Sequence, residues 1–66
     1  MGLERFVGKY VVTKEPLPSD RRGETIPWNT TLFVLEMVGD EHFNLCWPGG
    51  LRAANQVHYS KLMLHP

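Results

Sequence analysis

The chain has 66 residues, of which 42% are hydrophobic, and its seven basic and seven acidic residues give a formal net charge of zero. A chain of this length forms one domain and buries only about 60% of its unfolded surface, which limits its stability. Zero net charge disfavours a dedicated nucleic-acid protein, because phosphate contacts normally require a positive field.

The first predicted elements are a strand and a long loop. Residues 5–14 are rich in β-branched and aromatic types and predict a first strand, in which Gly8 provides a bend or bulge. Residues 15–30 hold several prolines and a glycine. Because proline fixes φ and removes a backbone donor, we expect this segment to be a long, stiffened loop.

The rest of the chain alternates between short apolar runs and turn residues, which is typical of a small antiparallel barrel. Pro48-Gly-Gly predicts a tight hairpin, since glycine adopts positive φ at little cost. No window of useful length has helical periodicity. The predicted elements follow in this order: strands at 31–38, 43–47 and 51–56, one 3₁₀ turn within 57–61, and a last strand at 62–64.

Alternation of side chains predicts which residues form the core. In 31–38 we assign Phe33 and Leu35 to the buried face, and in 43–47 alternation places Trp47 beside Phe43 and Leu45. The residues that we expect to be buried are Phe6, Tyr10, Val12, Ile26, Phe33, Leu35, Phe43, Leu45, Leu51, Val57 and Leu62.

This order of elements resembles an SH3-like barrel. Residues 23–36 look like the diverging turn and second strand of such barrels, and residues 57–62 fall where their 3₁₀ turn and its tyrosine lie. The resemblance implies an all-β fold for residues 1–66: a single five-stranded, strongly bent antiparallel SH3-like barrel with a long first loop and one 3₁₀ turn. Superfolds of this kind carry many functions, so the fold alone assigns none.

The chain departs from the peptide-binding SH3 domains at two places. Residues 14–18 read Lys-Glu-Pro-Leu-Pro where those domains carry an Ala-Leu-Tyr-Asp-Tyr-like motif. The loop tip, residues 19–23, reads Ser-Asp-Arg-Arg-Gly where they carry an acidic cluster. These departures argue against the usual recognition of proline-rich peptides.

The residues that could carry chemistry do not form a reactive set. Cys46 has no nearby base in the sequence, and Asp40 and Glu41 are adjacent, which points their side chains apart. The chain has one cysteine and three scattered histidines, without the spacing of a zinc site. We therefore predict no catalytic residues, no cofactor and no metal.

A binding surface is the remaining prediction. Trp28, Arg21, Arg22, His58 and Tyr59 are expected to meet at a rim between the long loop and the 3₁₀ turn. Trp28 fits either an interaction anchor or a plug in one end of the barrel. The arginines fit either a phosphate or carboxylate site or a solvated loop tip.

Function is therefore predicted as a small, non-catalytic protein-binding module that acts as an adaptor, modulator or inhibitor of a larger protein. The alternatives are a nucleic-acid-binding barrel and an enzyme in which several barrels share a pore lined by residues 56–59. The lone cysteine fits a reducing cytoplasm, and no apolar run predicts a signal peptide or a membrane span. We expect a cytoplasmic protein without membrane contact and with an undetermined oligomeric state.

Overall fold

The computed structural model describes residues 2–65, and these residues form β-strands joined by turns and two short 3₁₀ helices. The first 3₁₀ helix is Leu3–Phe6 and the second is Tyr59–Lys61. The strands are β1 (Tyr10–Thr13), β2 (Leu17–Pro18), β3 (Thr25–Ile26), β4 (Thr31–Val38), β5 (His42–Cys46), β6 (Arg52–His58) and β7 (Leu62–Leu64). The all-β prediction is confirmed.

Five of the strands form one antiparallel sheet in the order β6-β5-β4-β1-β7, and β2 and β3 form a separate two-stranded ribbon. The long strand β4 is central, because it pairs with β1 along one edge and with β5 along the other. The predicted five-stranded antiparallel sheet and the 3₁₀ turn before the last strand are therefore confirmed.

The predicted first strand over residues 5–14 is wrong in its first half. Leu3–Phe6 is a 3₁₀ helix, so residues 2–65 contain two such helices where one turn was predicted. Gly8 adopts a φ of 80°, which interrupts the extended backbone and separates this helix from β1. The helix buries Phe6, whose ring stacks on that of Phe43 with centroids 5.3 Å apart. Burial of one aromatic ring therefore overrides a local strand propensity.

The long loop contains the β2–β3 ribbon and contributes to the core. Leu17 and Ile26 are partners in the ribbon, and both side chains are buried. The tip of the ribbon lies against β6, where the Asp20 N–H donates to the Ala53 carbonyl over 2.7 Å. The prolines predicted a stiff loop, but they did not reveal that Leu17 anchors it in the core.

Thr13 ties the end of this loop to β1. Its buried hydroxyl donates to the Pro27 carbonyl and accepts from the Thr30 N–H, both over 2.9 Å. Its backbone N–H donates to the Thr30 carbonyl over 3.0 Å, and its carbonyl accepts from the Asn29 N–H over 2.7 Å. One residue therefore pairs with polar groups of Pro27, Asn29 and Thr30 in the turn that leads into β4.

The buried face of β4 is the opposite of the predicted one. Leu32 and Val34 are fully buried, whereas Phe33 is partly exposed and Leu35 is 46% exposed. Val34 pairs with Leu45 and Glu36 pairs with Asn44, so Leu35 is the extra residue of a β-bulge. Because both faces of this strand are apolar, alternation alone could not identify the inner one.

The predicted burial is also wrong in β1, where the buried face is again the opposite one, and in the hairpin after β5. In β1 the buried residues are Val11 and Thr13, while Tyr10 is exposed and Val12 is only partly buried. Leu51 is 68% exposed, because it lies in the turn that joins β5 to β6 rather than in a strand. The observed core cluster is Phe6, Val11, Leu17, Ile26, Leu32, Val34, Phe43, Leu45, Ala53, Ala54, Val57 and Leu62.

Two alanine substitutions on opposite faces of β4 test this assignment. We expect Leu32→Ala to lower the free energy of unfolding by about 2–5 kcal/mol, since it removes apolar contacts and leaves a cavity. The matched substitution Leu35→Ala should cost much less, because that side chain is half exposed. Urea denaturation followed by circular dichroism measures both. Equal losses would show that the two faces share the core.

Thr13→Val tests the hydrogen bonds that hold the loop. Valine keeps the shape of threonine but leaves the Thr30 N–H without its side-chain acceptor, so we expect a loss of about 1–3 kcal/mol in unfolding free energy. Thr25→Val is the control, because Thr25 is exposed and its side chain forms no hydrogen bond within residues 2–65. A Thr13→Val protein as stable as the control would contradict this role.

Candidate functional site

The predicted site residues lie in three separate places. Arg21 and Arg22 are exposed at the tip of the β2–β3 ribbon, and the Arg21 guanidinium is 3.9 Å from the Glu24 carboxylate. Trp28 lies in the turn after β3 and is 65% exposed. It precedes Asn29, whose φ of 63° turns the chain back toward Thr13.

His58 and Tyr59 form the third place, at the junction of β6 and the second 3₁₀ helix. Their rings stack with centroids 4.5 Å apart. Arg21 borders a cavity with Trp47 and Arg52, whereas His58 borders a different cavity with Lys61. His58 and Tyr59 are thus brought together, while Arg21 and His58 line different parts of the surface.

The structure contains an aromatic groove that the sequence analysis did not predict. We use this name for a groove of about 380 Å³ on the outer face of the sheet, lined by Tyr10, Phe33, Leu35, Cys46, Trp47 and Pro48. Tyr10 and Phe33 are partners across β1 and β4, and their rings meet edge to face at 5.3 Å. Direct cross-strand neighbours point to the same side of a sheet, so their pairing creates one wall of the groove.

The hairpin after β5 forms the other wall. The backbone N–H of Trp47 donates to the Leu51 carbonyl over 2.7 Å, and the Gly50 N–H donates to the Trp47 carbonyl over 2.8 Å. Trp47 is partly buried against the core and also lines the groove, which fixes its ring in position. Cys46 is opposite Phe33 in the register and is buried in the floor.

One sequence signal could have revealed this groove. Both faces of residues 31–38 are apolar, and a small domain can bury only one of them. The second face must then be exposed or covered by another molecule. The pairing of Tyr10 with Phe33 and the position of Trp47 depend on tertiary structure, so the sequence could not assemble the rest.

A second groove, which we call the histidine groove, lies between the β2–β3 ribbon and the second 3₁₀ helix. It has a volume of about 190 Å³, and its lining includes Leu17, His42, Gln56, Val57, His58 and Lys61. His42 and His58 are partners across β5 and β6, and their rings meet edge to face at 5.1 Å. A groove therefore exists between the long loop and the 3₁₀ turn. The part of the loop that lines it is the β2–β3 ribbon.

The hydrogen bonds of His58 fix the tautomer of its neutral ring. Nδ1 accepts from the Ser60 N–H over 3.1 Å and caps the second 3₁₀ helix. An acceptor nitrogen carries no proton, so the proton of the neutral ring is on Nε2, 3.3 Å from a Glu41 carboxylate oxygen. Both nitrogens of His58 are thus occupied.

A third cavity, of about 240 Å³, mixes charges of both signs beside Trp47. Arg21 and Arg52 line it together with Asp20 and Glu24. Asn55 connects two of these residues, since it accepts from the Arg52 guanidinium over 2.8 Å and donates to the Asp20 carboxylate over 3.0 Å. The arginines therefore do not form an uninterrupted basic surface.

Metal-ligating residue types and the cysteine thiol were also located in the structure. Residues 2–65 contain no group of three or more histidine, cysteine, aspartate or glutamate side chains placed to hold a metal ion. The Cys46 thiol is free and buried. None of the helices within residues 2–65 is long and apolar enough to cross a membrane.

Comparison with protein-family models, curated proteins and solved structures finds no match to this chain.

The environments of the two tryptophans predict different responses to a fluorescence quencher. In Trp47→Phe only the exposed Trp28 emits, and we expect red-shifted emission that acrylamide quenches efficiently. In Trp28→Phe only the partly buried Trp47 emits, and its quenching should be weaker because the hairpin and the core cover part of the ring. Equal quenching constants in the two variants would contradict the positions described for these rings.

Proposed function

We propose that this chain is a small, non-catalytic protein-binding module and that the aromatic groove receives apolar side chains of a partner protein. The observation that carries the proposal is the exposed apolar face of β1 and β4, closed on one side by Trp47. Contiguous apolar grooves on small proteins commonly mark interaction sites.

The composition of the groove suits recognition of a protein. Tryptophan and tyrosine supply large contact areas and are enriched among the residues that dominate binding energy. Tyr10 and Phe33 are mounted on paired strands, so little ordering entropy is lost when a ligand covers them. The Cys46 side chain closes the floor, which leaves the rings as the main contact surface.

The charged cavity beside Trp47 favours a protein over a nucleic acid. A nucleic-acid surface needs basic residues that converge beside an aromatic ring. Arg21 and Arg52 do lie beside Trp47, but Asp20 and Glu24 share the cavity and would repel phosphates. Mixed charges of this kind are usual at the polar rim of a protein interface.

We also propose that the sheet closes into an SH3-like barrel. The strand order β6-β5-β4-β1-β7, the long connection after β1 and the 3₁₀ helix before β7 support this assignment. The bulge at Leu35 supplies a bend that a closed sheet needs. The single buried thiol of Cys46 fits a reducing compartment, so we propose a cytoplasmic location.

Matched tryptophan substitutions test the binding function. A partner is first identified by affinity capture with the tagged protein and then purified. We expect Trp47→Ala to weaken its binding by at least about 2 kcal/mol, or roughly 30-fold, since a ring at the centre of an interface is lost. Trp28→Ala, which removes the same side chain outside the groove, should leave the affinity unchanged. Isothermal titration calorimetry measures both.

Leu35→Ala provides a second groove variant that is independent of the hairpin. Its side chain lines the groove but is half exposed, so the substitution should weaken binding without unfolding the protein. Melting temperatures of all variants establish that they are folded. If Trp28→Ala abolishes binding while Trp47→Ala and Leu35→Ala do not, the binding surface is the loop and not the aromatic groove.

A further inference from the structure

Within the described part of the chain, the histidine groove contains a positive charge that has no counterion. Lys61 is only partly exposed and lines the groove, and no carboxylate of residues 2–65 forms an ion pair with it. The Glu41 carboxylate is engaged with His58, and the Asp20 carboxylate accepts from the amide of Asn55, which also lines the groove. Lys61 shares the groove with the buried side chains of Leu17 and Val57, so a ligand meets both a positive charge and an apolar surface there.

His42 provides a second donor in the same groove. Its ring is half-buried against His58, and within residues 2–65 its nitrogens have no hydrogen-bond partner. Both nitrogens of His58 are occupied by Ser60 and Glu41, so His42 is the histidine that is able to donate to a ligand. A neutral imidazole keeps one N–H donor, so this capacity does not require protonation.

The backbone that lines the groove is strained, which is an independent observation. Gln56 adopts a φ of 53°, a left-handed conformation that is unfavourable for a non-glycine residue. Leu45 pairs with Ala54 and Phe43 pairs with Val57, so a bulge at residues 55–56 pushes Gln56 out of the regular ladder. Strain and bulges of this kind cluster at ligand sites.

Hydrogen bonds hold this strained position in place. The Gln56 N–H donates to the side-chain carbonyl of Asn44 over 3.0 Å. The amide of Asn44 in turn donates to the Glu36 carboxylate over 2.7 Å. The strained residue is therefore fixed at the wall of the groove by a supporting chain of side chains on β5 and β4.

We propose that the histidine groove binds a carboxylate group, with the Lys61 ammonium and the His42 ring N–H as its donors. The carboxylate comes from an acidic side chain or from the C-terminus of a peptide. The volume of about 190 Å³ corresponds to about six water molecules, which is enough for one short side chain. This site goes beyond the proposed function, because it is a second groove that does not depend on the aromatic one.

Three small ligands, two with a carboxylate and one neutral, test the proposal. Nuclear magnetic resonance titrations use N-acetylglutamic acid amide as the side-chain carboxylate, N-acetylalanine as the terminal carboxylate, and N-acetylglutamine amide as the neutral isostere of the first. We expect saturable shifts of the His42 ring and of the Gln56 and Lys61 amides with at least one carboxylate. The carboxylate that binds more tightly identifies the source, and the neutral isostere should produce no saturable shift.

Paired lysine substitutions provide the control within the chain. We expect Lys61→Gln to weaken carboxylate binding by about tenfold or more, since a charge-assisted hydrogen bond is lost. Lys9→Gln makes the same change in net charge at an exposed lysine outside the groove and should bind like the wild type. If Lys61→Gln does not fold, His42→Phe removes the other donor while it keeps a ring against His58, and it should weaken binding as well.

Two results would overturn the proposal. One is saturation by the neutral isostere with the same affinity as the carboxylates. The other is unchanged carboxylate affinity in a folded Lys61→Gln or His42→Phe protein. The titration is repeated with Trp47→Ala, which lies outside this groove. Normal carboxylate binding by that variant, together with loss of the captured protein partner, separates the two sites.

Discussion

Within residues 2–65, the other elements cover only one face of the five-stranded sheet, and this constraint shapes the rest of the structure. Strands β1 and β4 carry apolar side chains on both faces. The inner set, which includes Val11 and Leu32, meets the β2–β3 ribbon and the first 3₁₀ helix in the core cluster. The outer set, which includes Tyr10 and Phe33, has no element of residues 2–65 above it and forms the aromatic groove. Within residues 2–65, the groove is exposed because the ribbon and the first 3₁₀ helix pack against the inner face alone.

The loop after β1 contributes more to stability than its proline content suggests. Leu17 and Ile26 add buried side chains to the core, and the hydroxyl and backbone of Thr13 satisfy the polar groups of the turn that follows. Buried polar groups are costly unless they are paired, so the hydrogen bonds of Thr13 to Pro27, Asn29 and Thr30 stabilise this turn beside the core. The same ribbon also forms one wall of the histidine groove. Core packing and the shape of a candidate site therefore depend on one segment.

The sequence predicted the fold better than the site. Strands such as β4 and β7 appear at the predicted positions, because their local signals are runs of β-formers bounded by turn residues. The inner face of β4 could not be predicted, because Leu32 and Phe33 are both apolar and tertiary contacts make the choice. His58 and Tyr59 were found together because they are neighbours in sequence. Arg21 and His58 line two cavities, and the path of the ribbon that carries Arg21 depends on contacts with β6 that are distant in sequence.

The hydrogen bond from the Asp20 N–H to the Ala53 carbonyl has a consequence for the behaviour of the protein in a crowded cell. Strand β6 is the last strand on its side of the sheet, and an unpaired strand edge is a template to which another chain can add. The Ser19 hydroxyl contacts the same carbonyl, so the ribbon of this chain occupies the position that a foreign strand would take. The loop thereby blocks the addition of another strand at this edge of the sheet. Such protection matters for a neutral protein, because it has no net charge to repel its own copies.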